Sequence, residues 1–249
     1  MENTKYIKYM SSTEFAEMRK TCDTVIIPVG AIEVYGPHMP LGSDIIVAQR
    51  VSELVADQVN AVIGPCLEVG ESFSLTKYPG TLYLRPETWK AVIEDYIVSL
   101  SAQGMTKFMF INGHAANVPL IGNVARPLER TGKVKVAQVD WWRFTQDKAI
   151  GVCEYTGWMA HGHASECGTS VMLHLFPQYV EFRKATKVTP LEGEAFGKYD
   201  DFIDYTVFNE TTESGVLGDA TVATAEKGRQ IVEKCVERIV TYMRDKFGC

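Results

Sequence analysis

Four short apolar runs recur along this chain with helical-period segments between them, and that alternation restricts the fold more than any other feature. The runs are TVIIPVG (24–30), AVIGP (61–65), KFMFING (107–113) and VKVAQVD (134–140). Each is short, apolar and bounded by turn residues, so each reads as a buried strand. Between the first two, DIIVAQRVSELVADQVN (44–60) places Ile46, Val47, Val51, Leu54, Val55 and Val59 at helical spacing. RPETWKAVIEDYIVSLSAQG (85–104) opens with Pro86 in its first turn and stops at Gly104, so it reads as a helix marked at both ends. A helical segment separates the third run from the fourth. SECGTSVMLHLF (165–176) and ATAEKGRQIVEKCVERIVTYMRDKF (223–247) read as two more helices. Strands alternating with helices imply an α/β fold, a mostly parallel sheet covered on both faces. No repeat or linker marks a second unit, so 1–249 reads as one domain. Residues 178–220 are the least regular and are expected to form a loop-rich extension over one end.

Charge and composition remove several function classes. A formal net charge of -6 offers no basic field to a nucleic acid or an acidic membrane. No run approaches the roughly 18 apolar residues of a membrane span. The opening stretch MENTKYIKYMSS lacks the apolar centre of a signal peptide, which points to the cytoplasm. Six cysteines without C-x-x-C pairing then read as free thiols. Cys167 reads as a small core residue beside a candidate site.

In open α/β sheets, ligands gather at the carboxyl ends of the strands. Three polar clusters fall there. EVYGPHMPLGSD supplies Glu33, His38 and Asp44; INGHAAN supplies Asn112, His114 and Asn117; HGHASECGTS supplies His161, His163 and Glu166. Imidazole mixed with carboxylate suits zinc, manganese or iron, whereas a calcium site avoids imidazole. Taken alone, each residue has a plainer reading. Asp44 could be a helix N-cap, and His38 could either orient a ligand or fix the Pro-rich turn. Their convergence on one rim favours a metal. His174, among apolar neighbours, reads as structural. Trp141 and Trp142 follow the fourth run and read as packing or as a pocket wall. Arg85 could grip a substrate carboxylate or bond nearby groups. No G-x-S-x-G or phosphate-cradling glycine loop occurs, which removes serine hydrolases and nucleotide-dependent enzymes.

The three clusters resemble those of the creatininase (creatinine amidohydrolase) family in order and approximate spacing. EVYGPHMPLGSD is similar to its Glu-x-His-Gly-Pro-His…Asp segment, and YPGTLYLRPETW (78–89) to its Phe-Pro-Gly-Thr-Thr-x-Leu-Arg-Pro-Glu-Thr stretch. NGHAAN resembles Asn-Gly-His-Gly-Gly-Asn, and HASECGTSVML resembles His-Ala-Gly-Glu-x-x-Thr-Ser-x-Met-Leu. GVLGDATVATAEKG (215–228) resembles another shared block. The resemblance implies a three-layer α/β/α sandwich, often assembled as a homo-oligomeric hexamer, and a metal-dependent hydrolase. By it, Glu33, Asp44 and His114 bind one metal, and Asp44 bridges to a second. His163 falls beside the scissile bond, Trp142 aligns with an active-site tryptophan, and Tyr78 to Thr81 line the pocket.

In creatininase itself a histidine and a glutamate at the positions of Tyr35 and Ala116 serve a second metal, and both are absent here, though members with Gly-Gly also lack that carboxylate. Glu166 could replace the carboxylate, and Tyr35 or His161 could supply the missing ligand. The readings left open are one metal per chain, two completed by such a substitute, or a non-catalytic member that kept the fold. The expected activity is hydrolysis of a small cyclic amide, formamide or related carbonyl compound by a metal-activated water. His163 or Glu166 would move the proton. The alternative is carbon–carbon cleavage of an oxidised sugar or cyclitol ring.

Overall fold

Side chains alternate across a strand, so a strand buried on both faces must be apolar throughout. All six residues of β1 (Thr24–Val29) are buried, and so are all but the first of β3 (Lys107–Asn112). With β2 (Val62–Ile63) and β4 (Lys135–Asp140) they form a parallel sheet in the order β2-β1-β3-β4. This computed structural model describes residues 5–144, 151–189 and 208–249.

The helices follow in chain order: α1 (Ser12–Met18), α2 (Ser43–Ala56), α3 (Pro86–Ala102), α4 (Asn117–Glu129), two single turns α5 (Trp141–Phe144) and α6 (Trp158–His161), then α7 (Glu166–Leu175) and the closing helix α8 (Ala225–Phe247). They cover the sheet in two layers. Ile26, Met109 and Ile111 point into a core built with Val47, Val51 and Val55 of α2, Val171 of α7 and Ile231, Ile239 and Met243 of α8. The alternate positions Val25, Ile27, Phe108 and Phe110 meet Trp89, Ile93 and Ile97 of α3 and Leu120, Ile121 and Val124 of α4. Burying each such side chain contributes ~1.5–3 kcal/mol. Three layers result, as the alternation of runs predicts.

The differences lie mainly at the ends of elements. The second strand keeps only Val62 and Ile63, yet its edge is not bare: Tyr6 bridges to Ile63, whose N–H donates to the Lys5 carbonyl at 2.8 Å. The first long helix stops at Ala56, four residues early. Helix α1 is missing from the sequence reading, although Ser11 and Glu14 form a reciprocal capping box at its start. In the irregular extension, two single 3-10 turns (Pro177–Tyr179 and Phe182–Lys184) precede β5 (Lys187–Val188), which pairs antiparallel with β6 (Gly218–Asp219). Its residues 190–207 lie outside the described residues. All six cysteines are free of disulfides, and among the described residues no helix is long and apolar enough to cross a membrane.

Two glycines at the sheet end set the position of α2. A Cβ on Gly30, just after β1, would stand 2.6 Å from the Ile45 backbone, and one on Gly113, just after β3, would collide with the Asp44 carbonyl. These two residues without side chains therefore let the first turn of α2 wedge against the carboxyl ends of both central strands. Asp44 rides on that turn.

Candidate metal centre

The chain leaves β1 through a loop pinned by the Glu33 N–H, which donates to the Leu41 carbonyl at 2.8 Å. It leaves β3 through an amide clasp: the His114 N–H donates to Asn112 Oδ1 at 3.1 Å, and Asn112 Nδ2 donates back to the His114 carbonyl at 2.8 Å. Asp44 is not the N-cap of α2; Gly42 holds that position and Asp44 lies in the first turn. These three placements bring buried Glu33, Asp44 and His114 together. His114 Nδ1 is 3.1 Å from Glu33 Oε1 and 3.3 Å from Asp44 Oδ2. One ligand atom from each lies within 4.8 Å of the others, the one such group among the described residues.

Hydrogen-bond accounting tests whether this group fits a cation. His114 Nε2 lies 2.7 Å from the Glu71 carbonyl oxygen, which only accepts, so Nε2 carries the proton. In the neutral ring Nδ1 is then a bare lone pair facing two carboxylate oxygens. That arrangement is repulsive unless a cation lies among the three atoms or the ring takes a second proton. A metal satisfies it, and the Glu71 carbonyl is the outer partner that fixes a ligating imidazole. Ser72 Oγ does the same for Glu33, donating to Oε2 at 2.5 Å. Ser72→Ala is expected to weaken metal binding ~10–100-fold, read by competition with a chelator.

Without a metal, protons take the cation's place. Burial opposes charge on His114, but Glu33 and Asp44 outweigh it and raise its pKa well above the ordinary imidazole value. Burial would likewise raise Glu33, yet the facing His114 and His163 hold it below the usual carboxylate range. Asp44 rises to about 6, through burial first and the Glu33 charge second. A raised carboxyl or imidazole favours the folded state while protonated, so this contribution is lost as pH climbs through about 6 and beyond. Glu33, being lowered, keeps its contribution until strongly acid pH. A bound metal excludes the protons on Asp44 and His114, so its affinity rises with pH. The gain in melting temperature on adding zinc is therefore expected to be small near pH 5.5 and to widen steadily towards pH 8, as differential scanning fluorimetry would show.

A cavity of about 520 Å³ opens over this group, lined by Tyr35, Leu75, Ala116, Trp142, Trp158, His161, His163, Cys167 and Phe208 among others. His163 is fixed by its Nδ1–H, which donates to the Gly215 carbonyl at 2.6 Å, and its Nε2 stands 3.3 Å from Glu33 Oε1. Its ring lies between Tyr35, at 4.8 Å, and Phe208, at 4.9 Å between centroids. Ala164, with φ of +52°, turns the chain sharply between His163 and α7. Trp142 meets Trp141 edge to face at 6.2 Å. Tyr35 is brought to the cavity, but its hydroxyl lies against Gly168, where a Cβ would stand 2.8 Å away.

Several expected residues are held elsewhere. Glu166 is fully buried, but its carboxylate accepts from the backbone N–H groups of Glu154 and Tyr155 and pairs with Lys227 Nζ at 2.7 Å. It does not line the cavity and is not a member of the ligand group. Arg85 is exposed at the N-cap of α3. Tyr78 donates to the Thr212 carbonyl and Thr81 accepts from the Val34 N–H, while Ser74 and Leu75 of the preceding loop reach the cavity instead. His38 Nε2 bonds Thr169 Oγ1 at 2.9 Å, and burial lowers its pKa to about 4, so it is a neutral brace between the Pro-rich turn and α7. Ser72, the Glu71 and Gly215 carbonyls and Phe208 escaped the sequence reading. They sit in loops or, for Phe208, a single 3-10 turn, where no periodicity distinguishes them.

The family profile "Creatininase: Creatinine amidohydrolase" matches residues 8–243. The chain belongs to the creatininase family. It is 30% identical to "Creatinine amidohydrolase" of Pseudomonas putida, over 99% of both chains. It is 27% identical to "Mycofactocin precursor peptide peptidase" of Mycobacterium tuberculosis, over 96% of this chain and 93% of that one. To "3-dehydro-scyllo-inosose hydrolase" of Thermotoga maritima it is 26% identical, over 96% and 83%. The solved structure named "Creatininase Mn" superposes with a TM-score of 0.84 at 28% identity, covering 98% of this chain and 99% of that one. The chain is thus a divergent creatininase-family hydrolase with a buried Glu/Asp/His triad.

Proposed function

We propose that this creatininase-family enzyme hydrolyses a small cyclic amide, formamide or related carbonyl compound, using one divalent ion held by Glu33, Asp44 and His114. The observation that carries the reading is the placement of those three ligand atoms beneath a cavity of about 520 Å³. When bound, zinc, manganese or iron lowers the pKa of a coordinated water, to ~7 for zinc, and polarises the carbonyl under attack. The chain's own residues do the rest. His163 Nδ1–H is committed to the Gly215 carbonyl, leaving Nε2 to accept and return a proton beside Glu33. Trp142, Trp158, Phe208 and Leu75 supply apolar wall against which a planar body can lie.

A second reading, carbon–carbon cleavage of an oxidised cyclitol, draws on the similarity to the inosose hydrolase of Thermotoga maritima. A panel of cyclic amides, formamides, short peptides and keto-cyclitols, offered to zinc- and manganese-loaded protein, separates the two. Release of ammonia or amine supports the amide reading. Turnover of a keto-cyclitol alone, with no amine released, contradicts it.

A further inference from the structure

The cavity carries an imidazole that neither the ligand group nor the proton carrier uses. His161 lines the cavity from the end of α6, and its Nδ1 is buried without a hydrogen-bond partner among the described residues. An imidazole keeps its proton on Nδ1 when an acceptor holds it there. None does among the described residues, and on that ground the proton is assigned to Nε2. Burial, working against the more distant Glu166 charge, lowers the ring's pKa and keeps it neutral.

The turn that carries this ring is tied down by hydrogen bonds on both sides. The His161 N–H donates to the Gly157 carbonyl at 2.8 Å, and Ser165 Oγ donates to the Ala160 carbonyl at 2.7 Å. The loop leading into α6 is clamped where Glu166 receives the N–H groups of Glu154 and Tyr155 while Lys227 Nζ binds Glu166 and Glu154.

We propose that His161 is a substrate-binding residue whose Nε2–H donates to an acceptor oxygen or nitrogen on the substrate, separate from the carbonyl under attack. The inference rests on the hydrolase reading and narrows it: the substrate carries a second acceptor besides the scissile group. A donor in a wall shared with Trp142, Trp158 and Phe208 rejects analogues lacking that acceptor, because the imidazole N–H is then left without a partner.

Two measurements on the zinc-loaded protein test this. Long-range proton–nitrogen correlation spectra report the tautomer of each of the five histidines, and His161→Gln identifies the signal. A neutral ring protonated on Nε2 at pH 7 is expected; an Nδ1–H tautomer or an imidazolium overturns the proposal. With any substrate from the panel, His161→Phe is expected to raise KM about tenfold with metal content unchanged, the loss of one hydrogen bond. His161→Gln, which keeps an N–H donor, recovers most of it. An unchanged KM in His161→Phe, or a loss of metal, contradicts the donor role. If no panel compound turns over, the substrate reading fails, while the tautomer still decides for or against His161.

Discussion

Replacing Glu33 by glutamine is expected to empty the metal site and to cut turnover by ~10³-fold or more. One oxygen, Glu33 Oε1, stands 3.1 Å from His114 Nδ1 and 3.3 Å from His163 Nε2, so it serves both the ligand group and the proton carrier. Glutamine keeps the shape and the Ser72 contact but removes the charge that the ion and both imidazoles share. A metal supplies several kcal/mol of charge stabilisation in the transition state, and each ~1.4 kcal/mol is tenfold in rate. The variant should still fold, because the packed layers on both faces of the sheet do not involve Glu33. Its melting temperature should then no longer respond to zinc, since a ligand that does not bind the folded state cannot stabilise it. Trp142→Phe, by contrast, keeps the ligand group and should cost far less. A Glu33→Gln protein that retained its metal and its turnover would sink the assignment of this group.

The second large effect concerns how many ions the site holds. The resemblance to creatininase itself implies a histidine and a glutamate for a second metal at the positions of Tyr35 and Ala116. Here Ala116 offers no donor, and Tyr35 offers a phenol whose pKa burial, followed by the Asp44 charge, raises well above its ordinary value. Its oxygen is packed on Gly168, and Glu166, the carboxylate that might have substituted, is committed to Lys227. We therefore expect one ion per chain in the natural protein and two in the double variant Tyr35→His with Ala116→Glu. The single change Tyr35→His should stay near one, because Asp44 alone is then left to share the new ion with the imidazole. Elemental analysis reads this directly. Two ions in the unaltered chain would mean that Tyr35 or another group completes a dinuclear site.

The sheet and its helices are legible in the sequence because burial on two faces forces continuous apolar runs, while burial on one face leaves a period near 3.6. Glu33, Asp44 and His114 are legible for a related reason: each follows or begins such an element, at the end where ligands gather. Glu166 is misread on the same logic. It follows His163 by three residues, but the left-handed turn at Ala164 breaks the helical phase between them, and the partner that claims it, Lys227, is 61 residues further on. Ser72 is invisible because a loop serine has no pattern, although its hydroxyl orients the central carboxylate. Gly30 and Gly113 read as ordinary strand ends until α2 is seen packed against both. Close approach between distant segments leaves no local trace in a chain.

Metal content, measured by mass spectrometry on protein purified without chelators and beside Glu33→Gln, tests the triad most directly. About one zinc, manganese or iron per chain in the natural protein, with almost none in the variant, is the expected result. No metal in the natural protein, even after incubation with zinc or manganese, or equal metal in both, would contradict it.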